Sequence, residues 1–333
     1  MTELEDIIQI LNEFEGISRK YVLPAIIGKL RSASFNGTQE HGLGEDSAAI
    51  STSSDDVVLL TTDAIVEELC LHHPHAAGFN AVLATVMDIY AAGGTPTSFA
   101  VALSYSDDKI GEQLLEGLID GSQSFRVPIV RGHTSPQSRL TYVVGSATGT
   151  VRKEHLLTAG GAESGDALVL LFDKVGQRGA SYRLGWDSVT GHSSEYVVKR
   201  LTVMNELAGE NLLNASKDIS VAGLVGTAGM MLEYSGKGGI IDIDAVDVTR
   251  PQSIGLTDWI RMYISLGFLV AASESNLKRI VKIAEAHDMT ATKIGSVDDS
   301  TSLRLRLASE VRIMFDYSKG PLLIPKVGTN DIS

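Results

Sequence analysis

The segment 57–63 constrains the fold of this chain more than any other stretch. Four branched apolar residues are followed at once by two threonines and Asp63. Such a run predicts a buried β-strand whose last residues deliver polar groups to a pocket. Upstream, Glu45 and Asp46 stand side by side in a glycine-containing loop, where the backbone can approach a ligand closely. We therefore expect the acids of the two segments to meet at one site.

These acids suit a divalent cation. Mg²⁺ prefers oxygen ligands, usually takes one or two carboxylates and leaves its other positions to water and phosphate. The functional interpretation is that Glu45, Asp46 and Asp63 bind Mg²⁺ next to a phosphate-bearing ligand. The alternative is that Asp46 and Asp63 only cap turns. This stretch alone leaves both interpretations open.

The composition is that of a folded protein with two domains. A chain of 333 residues with 44% hydrophobic and 21% charged residues can bury a large core, and it is longer than most single domains. The net charge of -13 argues against general nucleic-acid binding, which needs a basic surface to neutralise phosphates. An acidic total is compatible with a local phosphate site held by metal ions.

Cysteine usage and the N-terminal residues bear on the compartment. Cys70 is the single cysteine, so the chain can form no intramolecular disulfide and no cysteine-based zinc cluster. The first residues are acidic where a signal peptide would be basic, and no apolar run has the length that spans a bilayer. We expect a soluble cytoplasmic protein without membrane partners.

Hydrophobic periodicity predicts a helical pair followed by strands that alternate with helices. This mixture indicates an α/β (α+β) fold instead of a bundle or a repeat. A polar, glycine-rich stretch at 152–165 is the predicted boundary between domains at 1–155 and 156–333. Residues 32–41 are predicted as a loop, and Ser18 as a cap of the second helix. The predicted helices are 4–14, 21–30, 76–90, 107–125, 195–210, 221–234, 258–269 and 275–287, and the predicted strands are 57–63, 98–105, 127–134, 140–147, 166–171, 240–243, 303–307 and 311–315.

Two of these stretches carry unusual polar residues. Asn80 and Asp88 can face the same side of the helix 76–90, and an acid near its C-terminal end opposes the helix dipole. Such an acid usually has a cation or a donor to satisfy it. At 72–75, three histidines flank a proline. A zinc site there is one hypothesis, but adjacent histidines on a strand point to opposite faces, so a solvated turn is favoured.

Two segments of the second half are candidates for phosphate contacts. Lys217 and Asp218 stand directly before a predicted helix with small residues, whose free N–H groups favour anions. The segment 235–239 is similar to a phosphate loop but lacks the Walker spacing and the following hydroxyl residue. It is therefore predicted to be a turn.

Six motifs in one order resemble a known enzyme superfamily. It contains phosphoribosylaminoimidazole synthetase (AIR synthase), thiamine-monophosphate kinase, selenophosphate synthetase and the hydrogenase-maturation dehydratase. Each motif is weak alone, and the resemblance covers nearly the whole chain. The motifs are Gly44-Glu45-Asp46-Ser47-Ala48, Thr61-Thr62-Asp63, Asn80 with 88–96, Arg131-Gly132-His133-Thr134, 164–166 and 218–220.

The resemblance implies a fold like that of AIR synthase, with an N-terminal mixed-sheet domain that forms a homodimer and a C-terminal α/β domain. It implies ATP and Mg²⁺ as cofactors in a cleft lined by the motifs, and a small-molecule acceptor. It also implies roles by position. The metal-binding or phosphate-facing acids are Asp46, Asp63, Asp88 and Glu45, the nucleotide-framing residues are Gly44, Thr62, Asn80, Gly93, Gly132 and Thr134, and the catalytic candidates are Asp218 and His133.

Two departures from the family pattern affect the site. Many relatives have an aspartate where this chain has His133, so an imidazole replaces a carboxylate ligand, as also occurs in selenophosphate synthetases. We expect His133 to face the same cleft as Asp63 and to offer phosphate a hydrogen bond or a positive charge, because Mg²⁺ prefers oxygen ligands. The alternative is a histidine that fills a strand end. Glu45 stands where relatives have aspartate, so the number of metal ions stays open.

Residues outside the shared motifs separate the member activities. The chain lacks the N-terminal cysteine or selenocysteine of selenophosphate synthetases, the C-terminal cysteine of the hydrogenase-maturation enzyme and the Asp-Gly-Val-Gly-Thr-Lys signature of the purine enzyme. The segment 61–63 is most similar to thiamine-monophosphate kinases. The segments 14–20, 185–190 and 217–220 are closer to uncharacterised synthetase-related proteins, including a methanogenesis-marker branch.

The leading hypothesis is an ATP- and Mg²⁺-dependent enzyme that phosphorylates or activates a small molecule. The family does not identify that acceptor. One alternative is a phosphotransferase like thiamine-monophosphate kinase. The other is a homologue that binds nucleotide without turnover.

Overall fold

The computed structural model describes residues 2–35 and 42–324, which form two β-sheet domains with helices packed on them. The predicted two-domain α/β (α+β) fold is confirmed. Of the predicted loop 32–41, the part 36–41 lies outside the described residues. Among the helices of this described part, none combines the length and the apolar character needed to cross a bilayer.

Most helices form where apolar periodicity predicts them. The two 18-residue helices of the first domain are examples, and the second begins after Asp107, whose side chain accepts a hydrogen bond from the N–H of Lys109 at 2.9 Å. The helices are α1 (Glu3–Asn12), α2 (Glu15–Ser18), α3 (Leu23–Ala33), α4 (Glu67–His72), α5 (Pro74–Ala91), α6 (Asp108–Phe125), α7 (Ser194–Leu201), α8 (Val203–Gly209), α9 (Gly223–Ser235), α10 (Ile243–Thr249), α11 (Leu256–Trp259) and α12 (Leu277–Ala286).

The strands form two large sheets and a small one. The predicted strand 57–63 is confirmed as β2, and the predicted hairpin near the C-terminus as β14 and β15. The strands are β1 (Ala48–Ser51), β2 (Asp56–Ala64), β3 (Thr95–Ser104), β4 (Ile129–Ser135), β5 (Tyr142–Arg152), β6 (Ala167–Phe172), β7 (Gln177–Arg178), β8 (Gly185–Asp187), β9 (Ala215–Asp218), β10 (Gly238–Asp242), β11 (Tyr263–Ile264), β12 (Gly267–Ala272), β13 (Thr290–Asp298), β14 (Ser302–Leu307) and β15 (Glu310–Asp316).

The sheet of the first domain has the order β1-β2-β5-β3-β4 and is antiparallel except between β3 and β4. Successive residues point to opposite faces, so Val57, Leu59 and Thr61 of β2 share the buried face. Helix α5 covers this face, and α6 packs against α5. The polar end of β2 is thereby brought to α5.

The sheet of the second domain has the order β15-β14-β10-β13-β6-β12-β9 and is antiparallel except between β10 and β14. Its central strands β6 and β12 are buried along their whole length. Leu168 and Leu170 of β6 pack in a cluster that includes α9, whereas Val169 and Leu171 pack in a cluster that includes α8 and α12. Both faces are therefore covered, as is typical of a strand that is apolar at every position.

One apolar cluster runs from the first domain into the second. It contains Leu59 and Val86 of the first domain together with Val169 and Leu207 of the second. Helix α5 also packs against β9 and α8, and α6 packs against α7. The two sheets are therefore joined by shared core packing.

A polar contact supports this junction at the end of α5. The side-chain nitrogen of Asn205 donates to the carbonyl oxygens of Gly93 at 3.0 Å and Gly94 at 2.8 Å. Gly93 has a φ of 77°, and a side-chain carbon at that position would lie 2.9 Å from Ala208. Only glycine fits this left-handed, crowded position without strain.

The N-terminal helices pack against the second domain, although the predicted division at 155 assigns them to the first. Leu4 and Leu11 of α1 and Ile17 of α2 are buried in the cluster that contains α9, and α1 also contacts β15. The buried face of the first sheet is already filled by α5, so the helical pair covers the second domain. Ser18 ends α2 and caps no helix, and the first turn of α3 contains Pro24. The boundary at 155 stays a prediction.

The predicted helix 258–269 is wrong. Helix α11 ends at Trp259, and the chain then forms β11 and β12. The Trp259 ring packs edge-on against Phe172 and Trp186, with ring centroids 5.4 and 5.9 Å away. Gly267 lets the turn between the strands close, because a side-chain carbon there would lie 2.6 Å from Ile264. An apolar run buried on both faces has no period that separates helix from strand.

Two other predictions need correction. The predicted helix 195–210 is divided into α7 and α8 at Thr202, whose hydroxyl donates to the carbonyl of Lys199 at 2.9 Å. The predicted strand 127–134 forms β4, but it is exposed because it is the edge strand of its sheet.

Asn205→Ala removes a donor that the carbonyls of two buried glycines share. We expect the free energy of unfolding to fall by about 1–3 kcal/mol, because carbonyls left without a partner keep their desolvation cost. Urea titration followed by circular dichroism measures the change. Asn12→Ala is the control, since Asn12 is exposed at the end of α1, and it should change stability by less than about 0.5 kcal/mol. Equal effects of the two substitutions would contradict this role of Asn205.

Candidate active site

A cleft of about 1720 Å³ lies between the two domains. Its walls come from α2, α3, the loop 42–48, the end of β2 and α5, and also from β7, β8 and residues 217–221. The cleft is therefore bordered by four of the six motifs, namely those at 44–48, 61–63, Asn80 with 88–96, and 218–220.

Three carboxylates meet in this cleft. One oxygen each of Asp46, Asp88 and Asp218 lies within 4.8 Å of the others. Asp88 is in the last turn of α5, Asp218 ends β9, and Asp46 belongs to the loop before β1. Because α5 packs against β9, acids from both domains come together.

Hydrogen bonds fix these acids in place. The Thr61 hydroxyl donates to Asp88, so the end of β2 orients the acid of α5. The backbone N–H of Asp218 donates to Oδ2 of Asp46 at 3.2 Å. The ammonium of Lys217 forms an ion pair with Oδ1 of Asp46. Both oxygens of Asp46 are thus bound by the second domain.

Burial and mutual repulsion raise the pKa values of the clustered acids. Burial raises the pKa of Asp88 well above its usual range, and the charges of Asp63 and Asp218 raise it further. Asp63 also forms a hydrogen bond with Asp88, so it is a fourth acid of the group. Burial, followed by the charge of Asp46, raises the pKa of Asp218 to about 8. The carboxyl groups of this cluster therefore cannot all ionise easily in the folded chain, because their negative charges repel each other.

The donor set fits Mg²⁺. Carboxylate oxygens from three segments are hard ligands within one ion's reach, and a cation would relieve the repulsion that raises their pKa values. Asp46, Asp88 and Asp218 would hold the ion, with Asp63 beside Asp88.

Glu45 lies outside this group of three. Its Oε2 accepts a hydrogen bond from the backbone N–H of Ala159 at 2.7 Å. Burial raises the pKa of Glu45, although the bond from Ala159 lowers it. Glu45 therefore ties the acidic loop to the segment between the two sheets, and its predicted part in metal binding has no support from this geometry.

Three of the predicted nucleotide-framing residues line the cleft, namely Gly44, Thr62 and Asn80. Gly44 has a φ of 102°, and a side-chain carbon there would lie 3.0 Å from the ring of Tyr234. The side-chain nitrogen of Asn80 donates to the carbonyl of Ala76 at 2.7 Å, one turn earlier on α5. Their contact with a nucleotide stays a prediction.

The other three do not line the cleft. Gly93 lies at the junction of the domains, where its carbonyl accepts from Asn205. Gly132 and Thr134 belong to the exposed edge strand β4. In a single chain, Gly93 therefore serves the packing between the domains, and Gly132 and Thr134 lie at the edge of the first sheet.

The expectation that His133 faces the cleft with Asp63 is wrong for a single chain. His133 pairs with Ala102 of β3, which pairs with Val144 of β5, which pairs with Ala64 of β2. Three strand spacings of about 4.8 Å each therefore separate His133 from β2. Asp63 precedes Ala64, so it points to the opposite face. The sequence does not fix the strand order that causes this separation.

The histidines at 72–75 are not part of the acidic site. His72 ends α4, Pro74 begins α5, and Nε2 of His75 lies 2.9 Å from Oδ2 of Asp120. They border a pocket of about 320 Å³, and His75 also lines the cleft. In residues 2–35 and 42–324, Asp46, Asp88 and Asp218 form the one group of three potential ligands that is close enough for a metal ion.

Sequence reasoning assigns no role to three polar residues of the cleft, Lys20, Ser220 and Tyr263, although Ser220 ends the motif 218–220. The hydroxyl oxygens of Ser220 and Tyr263 are buried without a hydrogen-bond partner in the described part of the chain. Burial, and then the charge of Asp218, raises the pKa of Tyr263, so its hydroxyl stays a donor. No periodic pattern in the sequence marks these residues as part of a site. Tyr263 also falls in the wrongly predicted helix 258–269.

The raised pKa values predict that the metal-free protein loses stability as the pH rises. A carboxyl group with a higher pKa in the folded than in the unfolded chain binds more protons when folded, so ionisation between about pH 4 and pH 8 disfavours folding. Asp88→Asn removes one repelling charge. In buffer with a chelator, we expect this variant to melt above the wild type at about pH 8 and to depend less on pH.

Thermal melting from about pH 5 to 9 measures both effects. Asp55→Asn is the matched control, because Asp55 is exposed in the turn before β2, at the opposite end of this strand from Thr61 and Asp63. A melting temperature of the metal-free wild type that rises steadily with pH would contradict the expected repulsion.

Comparison with known proteins places the chain in a family. It matches the families described as AIR synthase related protein, N-terminal domain, over residues 44–151 and AIR synthase related protein, C-terminal domain, over residues 163–308. An uncharacterised protein of Methanocaldococcus jannaschii is 33% identical over 321 residues, which cover 95% of this chain and 98% of that protein. The match thus extends along nearly the full length of both chains.

Solved structures share the fold. PurL of Thermotoga maritima in complex with ATP has a TM-score of 0.70 at 18% identity, and the match covers 84% of this chain and 46% of that one. This chain thus spans about half the length of PurL. Thiamine-monophosphate kinase of Stenotrophomonas maltophilia K279a has a TM-score of 0.60 at 17% identity, covering 86% and 96%. With both family domains matched in order, the resemblance indicated by the motifs is confirmed, and the chain belongs to the AIR synthase related family.

Proposed function

We propose that this protein is an enzyme that uses ATP and Mg²⁺ to phosphorylate or otherwise activate a small molecule. The observation that carries the proposal is the meeting of Asp46, Asp88 and Asp218 in the cleft between the domains. Carboxylates in this arrangement suit a divalent cation that binds phosphate oxygens. Membership of the family and the fold shared with an ATP-bound PurL support a nucleotide as the ligand.

The proposed roles follow from what phosphoryl transfer needs, which is mainly positioning and charge neutralisation. Mg²⁺ held by Asp46, Asp88 and Asp218 would neutralise charge on the phosphate oxygens. Thr61 orients Asp88 through its hydrogen bond. Lys20 is half-buried in the cleft, and no ion pair joins it to any residue that the structure describes. Its ammonium is therefore available to a phosphate.

The acceptor is proposed to bind beside Asp218, on the wall formed by the second domain. The unpartnered hydroxyls of Ser220 and Tyr263 lie in this wall, and a ligand that hydrogen-bonds to them would satisfy both. The N–H of Ile264 donates to the carbonyl of Ile219 at 3.3 Å, so the two segments that carry these hydroxyls are neighbours. An acceptor with polar groups fits this wall.

Two alternatives are tested with the same protein. Thiamine monophosphate is the first acceptor to assay, since thiamine-monophosphate kinase shares the fold and the segment 61–63 is similar to that family. A nucleotide-binding homologue without turnover is the competing hypothesis, because His133 stands where relatives carry a carboxylate. Both enzyme and binder would bind ATP, and only an enzyme would release ADP.

The cytoplasmic location stays a prediction from the single cysteine.

Asp63→Asn and Asp88→Asn test the site itself. Each change keeps the size of the side chain and removes one charge, so we expect ATP affinity in the presence of Mg²⁺ to fall by about tenfold or more. The melting temperature should not fall in parallel. Titration calorimetry with ATP, with and without Mg²⁺, measures the affinity, and ADP release with acceptors such as thiamine monophosphate measures turnover.

The exposed Asp55→Asn again serves as the control and should bind ATP like the wild type. If both cleft variants lose melting temperature but keep Mg²⁺-dependent binding, the acids are structural caps. A wild type that binds no nucleotide at all would reject both the enzyme and the binder.

The outer face of the first sheet supports the proposed homodimer. Leu60 of β2 is 41% exposed and Tyr142 of β5 is 38% exposed, with the half-buried Val58 and Val144 on the same face. Partly exposed apolar residues on one face of a sheet are typical of an interface between copies. His133 points to this face, so its role would lie at the interface and not in the cleft of its own chain.

Tyr142→Lys places a charge on the proposed interface at an exposed residue that does not line the cleft. We expect light scattering to give the wild type twice the chain mass of 35.5 kDa, and the variant a mass near that of one chain. Ile313→Lys is the control, because Ile313 is 57% exposed on a strand of the other domain. A wild-type monomer at every concentration would reject the dimer.

A further inference from the structure

Lys217 is a cation inside the carboxylate cluster. Its side chain is only 5% exposed, and its ammonium forms an ion pair with Oδ1 of Asp46, which is 11% exposed. Lys217 also precedes Asp218 on β9, so the cation and two of the three clustered acids are held by one strand end. In the described ranges 2–35 and 42–324, no other lysine or arginine forms an ion pair with an acid of this cluster.

The surroundings of Lys217 require its charge. A buried lysine loses its hydration, and here the carboxylate of Asp46 compensates the ammonium directly, with Asp218 next to Lys217 on β9. Burying a lysine with a single carboxylate brings little net stability, because desolvation offsets the attraction. A role in the site explains its position better than a role in folding.

We propose that Lys217 is a built-in cation that takes the place of a divalent ion next to Asp46. This inference rests on the proposed metal site. The ammonium binds one oxygen of Asp46, and the N–H of Asp218 binds the other, so this acid is oriented and partly neutralised before a metal arrives. A metal ion held by Asp46, Asp88 and Asp218 then has a fixed positive charge as a neighbour, which opposes binding of a second ion.

Lys217→Met separates this role from simple packing. Methionine keeps most of the side-chain length and removes the charge. If Lys217 replaces an ion, the variant should bind Mn²⁺, used as a probe without nucleotide, at least about tenfold more tightly or with one additional ion per chain. A residue that only positions Asp46 would weaken Mn²⁺ binding when removed. Calorimetry and electron paramagnetic resonance count the bound ions without turnover.

Two lysine variants are controls. Lys217→Arg keeps the charge and should keep the wild-type Mn²⁺ count. Lys237→Met removes a lysine whose ammonium lies 2.7 Å from Asp299 outside the cluster, so it should also leave the count unchanged. A folded Lys217→Met protein with unchanged or weaker Mn²⁺ binding would overturn the inference and leave the proposed metal site intact.

A double variant covers the case in which Lys217→Met does not fold without metal. Asp46→Asn combined with Lys217→Met removes both charges and should fold, which would support the counter-charge role. Failure of the double variant to fold would overturn this role, since the lysine side chain would then be needed for packing and not for its charge.

The wild type and the single variant also separate the inference from the proposed function. If the wild type binds no Mn²⁺ and Lys217→Met does, the inference is supported and the Mg²⁺-dependent function is rejected. Absence of binding in both proteins would reject both.

Discussion

Repulsion among buried carboxylates is the constraint on which the cleft depends. Asp46, Asp88 and Asp218 would separate if their segments were free to move, because each charge raises the cost of ionising the others. They stay together because α5 is fixed against β9 by apolar packing that continues through both domains. The core thus holds the site in an arrangement that is unfavourable by itself, as is common for functional sites.

The sequence predicts the parts of this site that follow from local pattern. Thr61 and Asp63 are found because an apolar strand ending in polar residues has a definite direction, and Asp88 because an acid near a helix C-terminus needs a partner. Asp218 depends on the family resemblance. Lys217 is visible as a charge beside Asp218, but its ion pair with Asp46 arises from a contact across 171 positions, which no local pattern encodes.

The wrong predictions have a common physical cause, because no single strand determines the order of the strands in a sheet. An apolar run followed by polar residues, as at 127–134, is typical of a buried strand with a polar end. In the structure, however, β4 with His133 lies at the edge of its sheet and is exposed. Tyr263 and Trp259 lie four residues apart, as on a helical face, yet burial on both sides makes that spacing uninformative. Elements that depend on their neighbours for burial are the ones that periodicity misassigns.

The packing of α1 and α2 has a consequence for how this fold can be recombined. A fragment that stops between the two sheets would uncover the sides of α5 and α6 that pack on α7, α8 and β9. A fragment made of the second sheet alone would lack α1 and α2, which come from the other end of the chain and cover its α9 side. A chimaera that exchanges domains between relatives must therefore move the N-terminal helices together with the C-terminal half, so the unit of exchange is discontinuous in sequence.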